Sequence, residues 1–266
     1  MHWILQEDLF LDTEWATLTQ TLDRYGIPYS AHKIRPTGEL APPPQVSDDQ
    51  VICLGSYSMR HAVARYGWTP GIYNLLEQNF EVQKEHWGDR MLNHDSVVVH
   101  FAKAQLHEPA FVRPVDDSKH FTGRLIAPAE LADWQRKVVS SGKGGGKSLS
   151  ADTLIQVCSP KKIHAEYRFW VVDGAIVTRS LYKRGPNVVY SAVVDDRLDA
   201  FVQEAISAWQ PHRAFVIDVC DTEGGVKIVE INAINSAGFY AGDMAKLIAA
   251  LESMEAPQPT KAPRFR

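Results

Sequence analysis

Cysteine is scarce: Cys53, Cys158 and Cys220 are the whole complement, odd in number, far apart and outside any Cys-x-x-Cys pair. Such spacing excludes a disulfide framework and a thiolate zinc site, and it fits a reducing cytoplasm. Long apolar runs are missing as well. Nothing approaches the roughly 20 apolar residues that span a bilayer, and Glu7 and Asp8 soon break the apolar start, so neither a membrane segment nor an export signal is expected. Positive charge is not in excess, with 28 Lys plus Arg against 32 Asp plus Glu for a formal charge of −4. That balance removes the electrostatic footprint of a duplex nucleic-acid binder. The ten histidines are scattered, without the H-E-x-x-H or paired spacing of a metal centre or a catalytic triad.

What remains is an ordinary globular composition, 45% hydrophobic and 23% charged over 266 residues, enough for one large domain or two modest ones. Apolar periodicity predicts a strand over 3–5, a helix over 14–25 behind a cap at Asp12 and closed by Gly26 and Pro28, a strand over 51–54 and a helix over 58–66. These make a small α/β unit of the first hundred residues. The texture then changes to strands over 97–101, 110–115 and 125–127, a helix over 129–139, and strands over 154–158, 167–172 and 175–182. Asp173-Gly174 is the strongest hairpin signal in the chain. A helix over 196–209, a second hairpin joining 215–220 to 226–232, and a helix over 243–254 complete a mostly antiparallel α+β region, and the tail from 257 is expected to be disordered.

Ser141-Gly-Lys-Gly-Gly-Gly-Lys147-Ser148 ends like a P-loop, but Ser141 stands where that pattern needs glycine. A P-loop also follows a strand and opens a helix, whereas here a helix precedes and a strand follows. The segment reads as a connection; that the Gly142–Gly146 loop acts as a lid, its two lysines sweeping over a nucleotide, stays open.

The second hairpin carries more chemistry. Glu230 and Asn232 are two apart and share a strand face, and a turn of four or five residues brings Asp218 opposite or diagonal to Glu230. Neighbouring acids among Val and Ile are costly unless a cation answers them. Mg²⁺, which takes one or two carboxylates plus phosphate oxygens, suits this sparse oxygen set; the plain alternative is a solvated sheet face.

These residues, together with Phe111-Val-Arg113-Pro114, the loop Asp116-Asp-Ser-Lys119-His-Phe-Thr-Gly123 and the strand Leu154-Ile-Gln156-Val157-Cys158, resemble the ATP-grasp superfamily in order and spacing. Glu166-Tyr-Arg168-Phe-Trp-Val-Val-Asp-Gly174, followed by Ser180-Leu-Tyr-Lys183, resembles its arginine-and-lysine clade of bacterial and phage members. The resemblance implies a pre-ATP-grasp domain over 1–96 and an ATP-grasp domain over 97–255. The latter divides into a smaller subdomain over about 110–158 and a larger one over about 159–255, leaving the tail at 256–266.

It further implies ATP and Mg²⁺, the cytoplasm of a bacterium or a phage-infected cell, and activation of a carboxylate as an acyl-phosphate that an amine or thiol attacks. The partner is then a small molecule or peptide bearing a carboxylate, with an amine acceptor. By the same resemblance Arg113 replaces the usual strand lysine on phosphate, Lys119 lies over the phosphates, and Gln156, Val157 and Cys158 border adenine. Asp218, Glu230 and Asn232 match the magnesium set, and Arg168 matches the arginine on the γ-phosphate or acyl-phosphate. Glu166 and Arg168 share a face, either at the nucleotide or as a structural salt bridge. Lys183 and Arg184 either receive a substrate carboxylate or are solvated, and Asn235 and Ser236 are placed at the substrate mouth. A hydroxyl kinase and a non-catalytic nucleotide-binding module are the alternatives.

Overall fold

The computed structural model describes residues 1–35, 37–47, 49–75, 78–116, 121–140 and 149–256. Its first unit is a five-stranded sheet in the order β3-β2-β1-β4-β5, formed by β1 (His2–Gln6), β2 (Tyr29–Ile34), β3 (Leu40–Ala41), β4 (Gln50–Leu54) and β5 (Thr69–Gly71). All pairs are parallel except β2 with β3. The crossovers are α1 (Asp12–Tyr25) and α2 (Met59–Tyr66). Buried apolar residues run unbroken through Trp3, Ile4 and Leu5 and through Val51 to Leu54, the pattern of strands covered on both faces.

α3 (Phe80–Trp87) leaves that unit. Its Phe80 and Trp87 sit in the core of the large antiparallel sheet that closes the fold, over 163–232, where the Trp87 indole N–H donates to the Ala205 carbonyl at 3.0 Å. Residues 80–96, assigned from the sequence to the first unit, therefore begin in the packing of the larger one. Two aromatics seven apart decide the partner.

A four-stranded antiparallel sheet follows, ordered β6-β9-β7-β8. It is built of β6 (Val97–His100), β7 (Ala110–Pro114), β8 (Arg124–Ile126) and β9 (Leu154–Cys158), and α4 (Pro128–Ser140) packs behind it. The largest element is an antiparallel sheet ordered β12-β11-β10-β13-β14. It comprises β10 (Ile163–Val172), β11 (Ala175–Arg184), β12 (Asn187–Ser191), β13 (Ala214–Thr222) and β14 (Gly225–Asn232). α5 (Asp196–Ala208) covers one face and α6 (Met244–Glu255) part of the other.

Strand alternation decides what each face does. Tyr167, Phe169, Val171, Phe215, Ile217 and Val219 turn to α5 and are buried there. On the opposite face Trp170, Val172, Ala214 and Val216 join Trp3, Leu18, Leu22 and Leu247 in a core shared with the first unit. The Trp3 indole N–H reaches Glu252 at 2.6 Å across that seam. Beyond this core the same face carries Glu166, Arg168 and Asp218, and it opens toward the four-stranded sheet. The Asp173-Gly174 hairpin forms as expected, with both residues at positive φ. No described helix is long and apolar enough to cross a membrane.

Candidate active site

Asp218 and Glu230 are directly opposed in the β13–β14 ladder, and Arg168 is opposed to Asp218 in the β10–β13 ladder. A register shift after Asp218 and Glu230 leaves Val229 as an extra residue that lines the cleft. Without that bulge Ile228 would not return to the core face. A second shift, between Glu166 and Tyr167, frees Tyr182 on β11 to turn its phenol toward Glu166.

The acids and cations of this face are paired one to one. Arg168 grips Asp218 with a bidentate fork, its Nε donating to Oδ1 at 2.8 Å and a terminal nitrogen to Oδ2 at 2.7 Å. Glu166 accepts from Lys183 Nζ at 2.6 Å and from the Tyr182 hydroxyl at 3.0 Å. Glu230 faces Arg113 of β7 at 3.6 Å, so this third pair bridges the two sheets. Asn232 donates its amide to Glu230 at 3.1 Å and to Asp218 at 3.4 Å. Ionised carboxylates only accept, so they fix the amide nitrogen toward themselves and leave Asn232 Oδ1 as an oxygen donor pointing elsewhere.

Burial shapes the charges. Asp218 is 1% exposed. Desolvation, with Glu230 and Glu166 adding to it, pushes its carboxyl up to about 6 against the pull of the Arg168 guanidinium. Burial works against the charge on Arg168 too, but the hydrogen bonds and charge of Asp218 outweigh it and raise its pKa. Burial first, and then the negative charges of Asp218 and Glu166, hold the Tyr182 phenol protonated, as its role as donor requires. Arg168 is confined further by the Gly238 carbonyl at 3.4 Å and by the Tyr240 ring 4.9 Å away. Tyr240 stacks in turn on Tyr182 and Tyr190, at centroid separations of 5.1 and 5.0 Å.

An open cleft of about 1170 Å³ lies between the sheets, lined by Phe111, Arg113, Glu166, Tyr182, Glu230 and Asn232. A narrow recess continues past Arg113 and Glu230 to Gln156, Asn93 and Phe80. Gln156 is buried at the back of that recess and lies opposite Arg113 in the β7–β9 ladder. Cys158, on the same strand face, directs its thiol to Asn93 Oδ1 at 3.4 Å. Val157 alternates away and packs in the core behind the sheet. Gly123 lets the chain pass close to β7, since a Cβ there would come within 2.7 Å of the Phe111 ring and 3.0 Å of Arg113 Cβ.

The structure thus brings together Arg113, Gln156, Glu166, Arg168, Lys183, Asp218, Glu230 and Asn232. Lys119 and the Gly142–Gly146 run lie outside the described residues. Arg184 is corrected: it pairs in register with Ala165, whose side chain belongs to the α5 core, and its charge acts on Tyr167 of that face. One step along a strand reverses the side chain, so Lys183 and Arg184 do not serve one site. Asn235 lines a third cleft together with Ser236, and it does so as a structural tie. Its side chain is buried and spent on backbone, accepting from Tyr73 N–H at 2.7 Å and donating to the Cys53 carbonyl at 2.5 Å. Ser236 remains exposed beside it, at the rim of that cleft.

Tyr182 and Tyr240 are site residues that the sequence does not announce. The first depends on a bulge, and the second sits at φ 51° in a loop; alternation marks neither position.

A family model described as ATP-grasp domain, family 3 of the arginine-and-lysine clade, matches residues 53–251. Solved structures share the architecture over nearly the whole chain. D-cycloserine synthetase DcsG is 13% identical with a TM-score of 0.65, covering 95% of this chain and 99% of its own. D-alanine–D-alanine ligase from Bacillus anthracis, complexed with ATP, is 11% identical with a TM-score of 0.59, covering 96% and 97%. The ATP-grasp ligase PsnB, complexed with a phosphomimetic variant of its minimal precursor, Mg and ADP, is 13% identical with a TM-score of 0.56, covering 95% and 96%. No curated protein sequence matches the chain.

Proposed function

Because the chain belongs to family 3 of the arginine-and-lysine clade of ATP-grasp domains, we propose that it is an ATP- and Mg²⁺-dependent ligase joining a carboxylate to an amine through an acyl-phosphate. The observation that carries this reading is the set of paired charges on the cleft: Arg168 with Asp218, Lys183 with Glu166, and Arg113 with Glu230. A magnesium–triphosphate unit is itself a pair of opposite charges. On its arrival phosphate oxygens would answer Arg113 and Lys183 and the metal would answer Glu230, while Arg168 stays on Asp218, so no charge would be left buried and uncompensated.

The donor set fits such a metal. Glu230 is part-exposed beside the cleft, the Asn232 carbonyl oxygen is free, and Asp218 supplies a third oxygen shared with Arg168. Mg²⁺ held there would neutralise charge on the transferring phosphoryl group. Arg113 offers a planar two-pronged donor to phosphate where a lysine would offer a point charge. Arg168, locked by Asp218, Gly238 and Tyr240, holds its guanidinium ready for the phosphoryl group, and Lys183 extends the positive lining from β11. Gln156, Cys158 and the backbone of Val157 border the base in the smaller recess; Lys119, outside the described residues, is assigned to the phosphates by the family resemblance alone.

In the first step a carboxylate oxygen attacks the γ-phosphorus and the bond to the β-bridging oxygen breaks, releasing ADP. In the second an amine attacks the acyl carbon, phosphate leaves, and the surplus ammonium proton passes to solvent. Neither step needs a protein nucleophile; positioning and charge neutralisation suffice. The test is ADP release with amino acids, small carboxylic acids and peptides, with products read by mass. A new amide with free phosphate supports the reading, whereas a phosphorylated product selects a kinase. ADP formation undiminished in Glu230→Gln and Asn232→Ala would remove the metal assignment.

A further inference from the structure

A third cleft, of about 940 Å³, lies where the first unit meets the end of β14, and it adjoins the nucleotide cleft through Asn232, which lines both. Its walls come from the loop after β4, the start of α2, the segment after β5 and the turn after β14. They are pinned in place. Asn235 ties the Cys53 carbonyl and Tyr73 N–H together, Gly55 N–H donates to the Asn235 carbonyl at 2.9 Å, and Ser56 N–H donates to Gln6 at 2.8 Å. A Cβ at Gly55 would come within 2.7 Å of the Met59 terminal methyl and 3.0 Å of Gln6 Cβ.

One charge stands in this cleft among its described lining residues, the guanidinium of Arg60, amid Ser56, Asn74, Gln78, Asn232 and Ser236. Arg60 has no ion pair among the described residues, although the other arginines of the active face each hold an acid. Its terminal nitrogen Nη1 is buried and makes no hydrogen bond. The guanidinium lies 3.5 Å from the centre of the Tyr57 ring, which fixes its plane. A buried donor without an acceptor is costly, and an anion supplied from outside removes that cost.

We propose that Arg60 is a specificity-determining residue that takes the non-reacting carboxylate of a small substrate, an amino acid or a dicarboxylic acid, whose reacting end points past Asn232 to the phosphates. This assignment rests on the ligase reading for its direction but not for its measurement. A planar fork stacked on an aromatic ring matches a carboxylate in two parallel hydrogen bonds, and the surrounding amides and hydroxyls accommodate neutral polar substituents. The primary amide of the same molecule offers one acceptor and no charge, so it binds more weakly.

The experiment is calorimetric titration of the full chain, with and without Mg-AMPPNP. The probes are the standard α-amino acids and the dicarboxylic acids of three to six carbons, each beside its primary amide. The inference predicts that at least one acid binds, at least tenfold more tightly than its amide. Arg60→Gln should weaken that acid at least tenfold, to the level of the amide, with AMPPNP affinity unchanged within twofold. Arg60→Lys should fall between, and it keeps the test readable if the glutamine variant folds poorly. Binding of no acid, equal binding of acid and amide, or an unaltered acid affinity in either variant overturns it. Because binding is read without turnover, absence of ligase chemistry and absence of carboxylate recognition are separate results.

Discussion

Arg113 and Glu230 meet at 3.6 Å across the cleft, one on β7 of the four-stranded sheet and the other on β14 of the larger sheet. The contact lies where the open cleft meets the smaller recess, and it is the pair that the proposed nucleotide would part. Both side chains are part-exposed, so the pair contributes at most about 1 kcal/mol to folding. Arg113→Met is therefore expected to shift a urea melt by no more than that while raising the KM for ATP at least tenfold. A large loss of stability with unchanged KM would make the residue structural.

The Arg168–Asp218 pair behaves oppositely, being buried on both sides. Removing one partner leaves the other unpaired in a low-dielectric site, at a cost of about 3–5 kcal/mol. Arg168→Met should lower stability by that amount, and adding Asp218→Asn should recover part of it. Strict additivity in this double-mutant cycle would contradict the coupling.

How much of the site is legible in the sequence follows from range. Asp218, Glu230 and Asn232 are readable because alternation and a short turn fix which strand residues share a face, and the ladder places the first two directly opposite. Arg168 follows from the same period. Lys183 and Arg184 look equivalent in sequence because the bulge at Tyr182, which decides which of them turns inward, has no signature in composition. α3 carries a cap at each end, Asn79 and Gly88, but its eight residues are too short for a clear apolar period, and only packing shows that Phe80 and Trp87 belong to the α5 core. Arg60 is an ordinary helix arginine until tertiary structure sets it in a cleft with no acid among its described lining residues.

Thiol chemistry tests the recess proposed for the base. All three cysteines are buried. Burial pushes the Cys220 thiol up to about 12 and raises those of Cys53 and Cys158 as well. A raised thiol pKa means less thiolate at a given pH, so iodoacetamide at pH 8 should spare the folded chain and modify all three residues in guanidinium. Cys158, 7% exposed where the others are 0%, should react first. Mg-ATP should slow it at least fivefold by mass spectrometry; equal rates with and without nucleotide would move the base away from β9.

Diffraction at the manganese edge, from crystals grown with AMPPNP and Mn²⁺, reaches the centre of the account. An anomalous peak at the oxygens of Glu230 and Asn232, with Arg113 turned from Glu230 to a phosphate, is the predicted result. Nucleotide in the cleft without manganese at those oxygens, or with Arg113 still paired to Glu230, would contradict it.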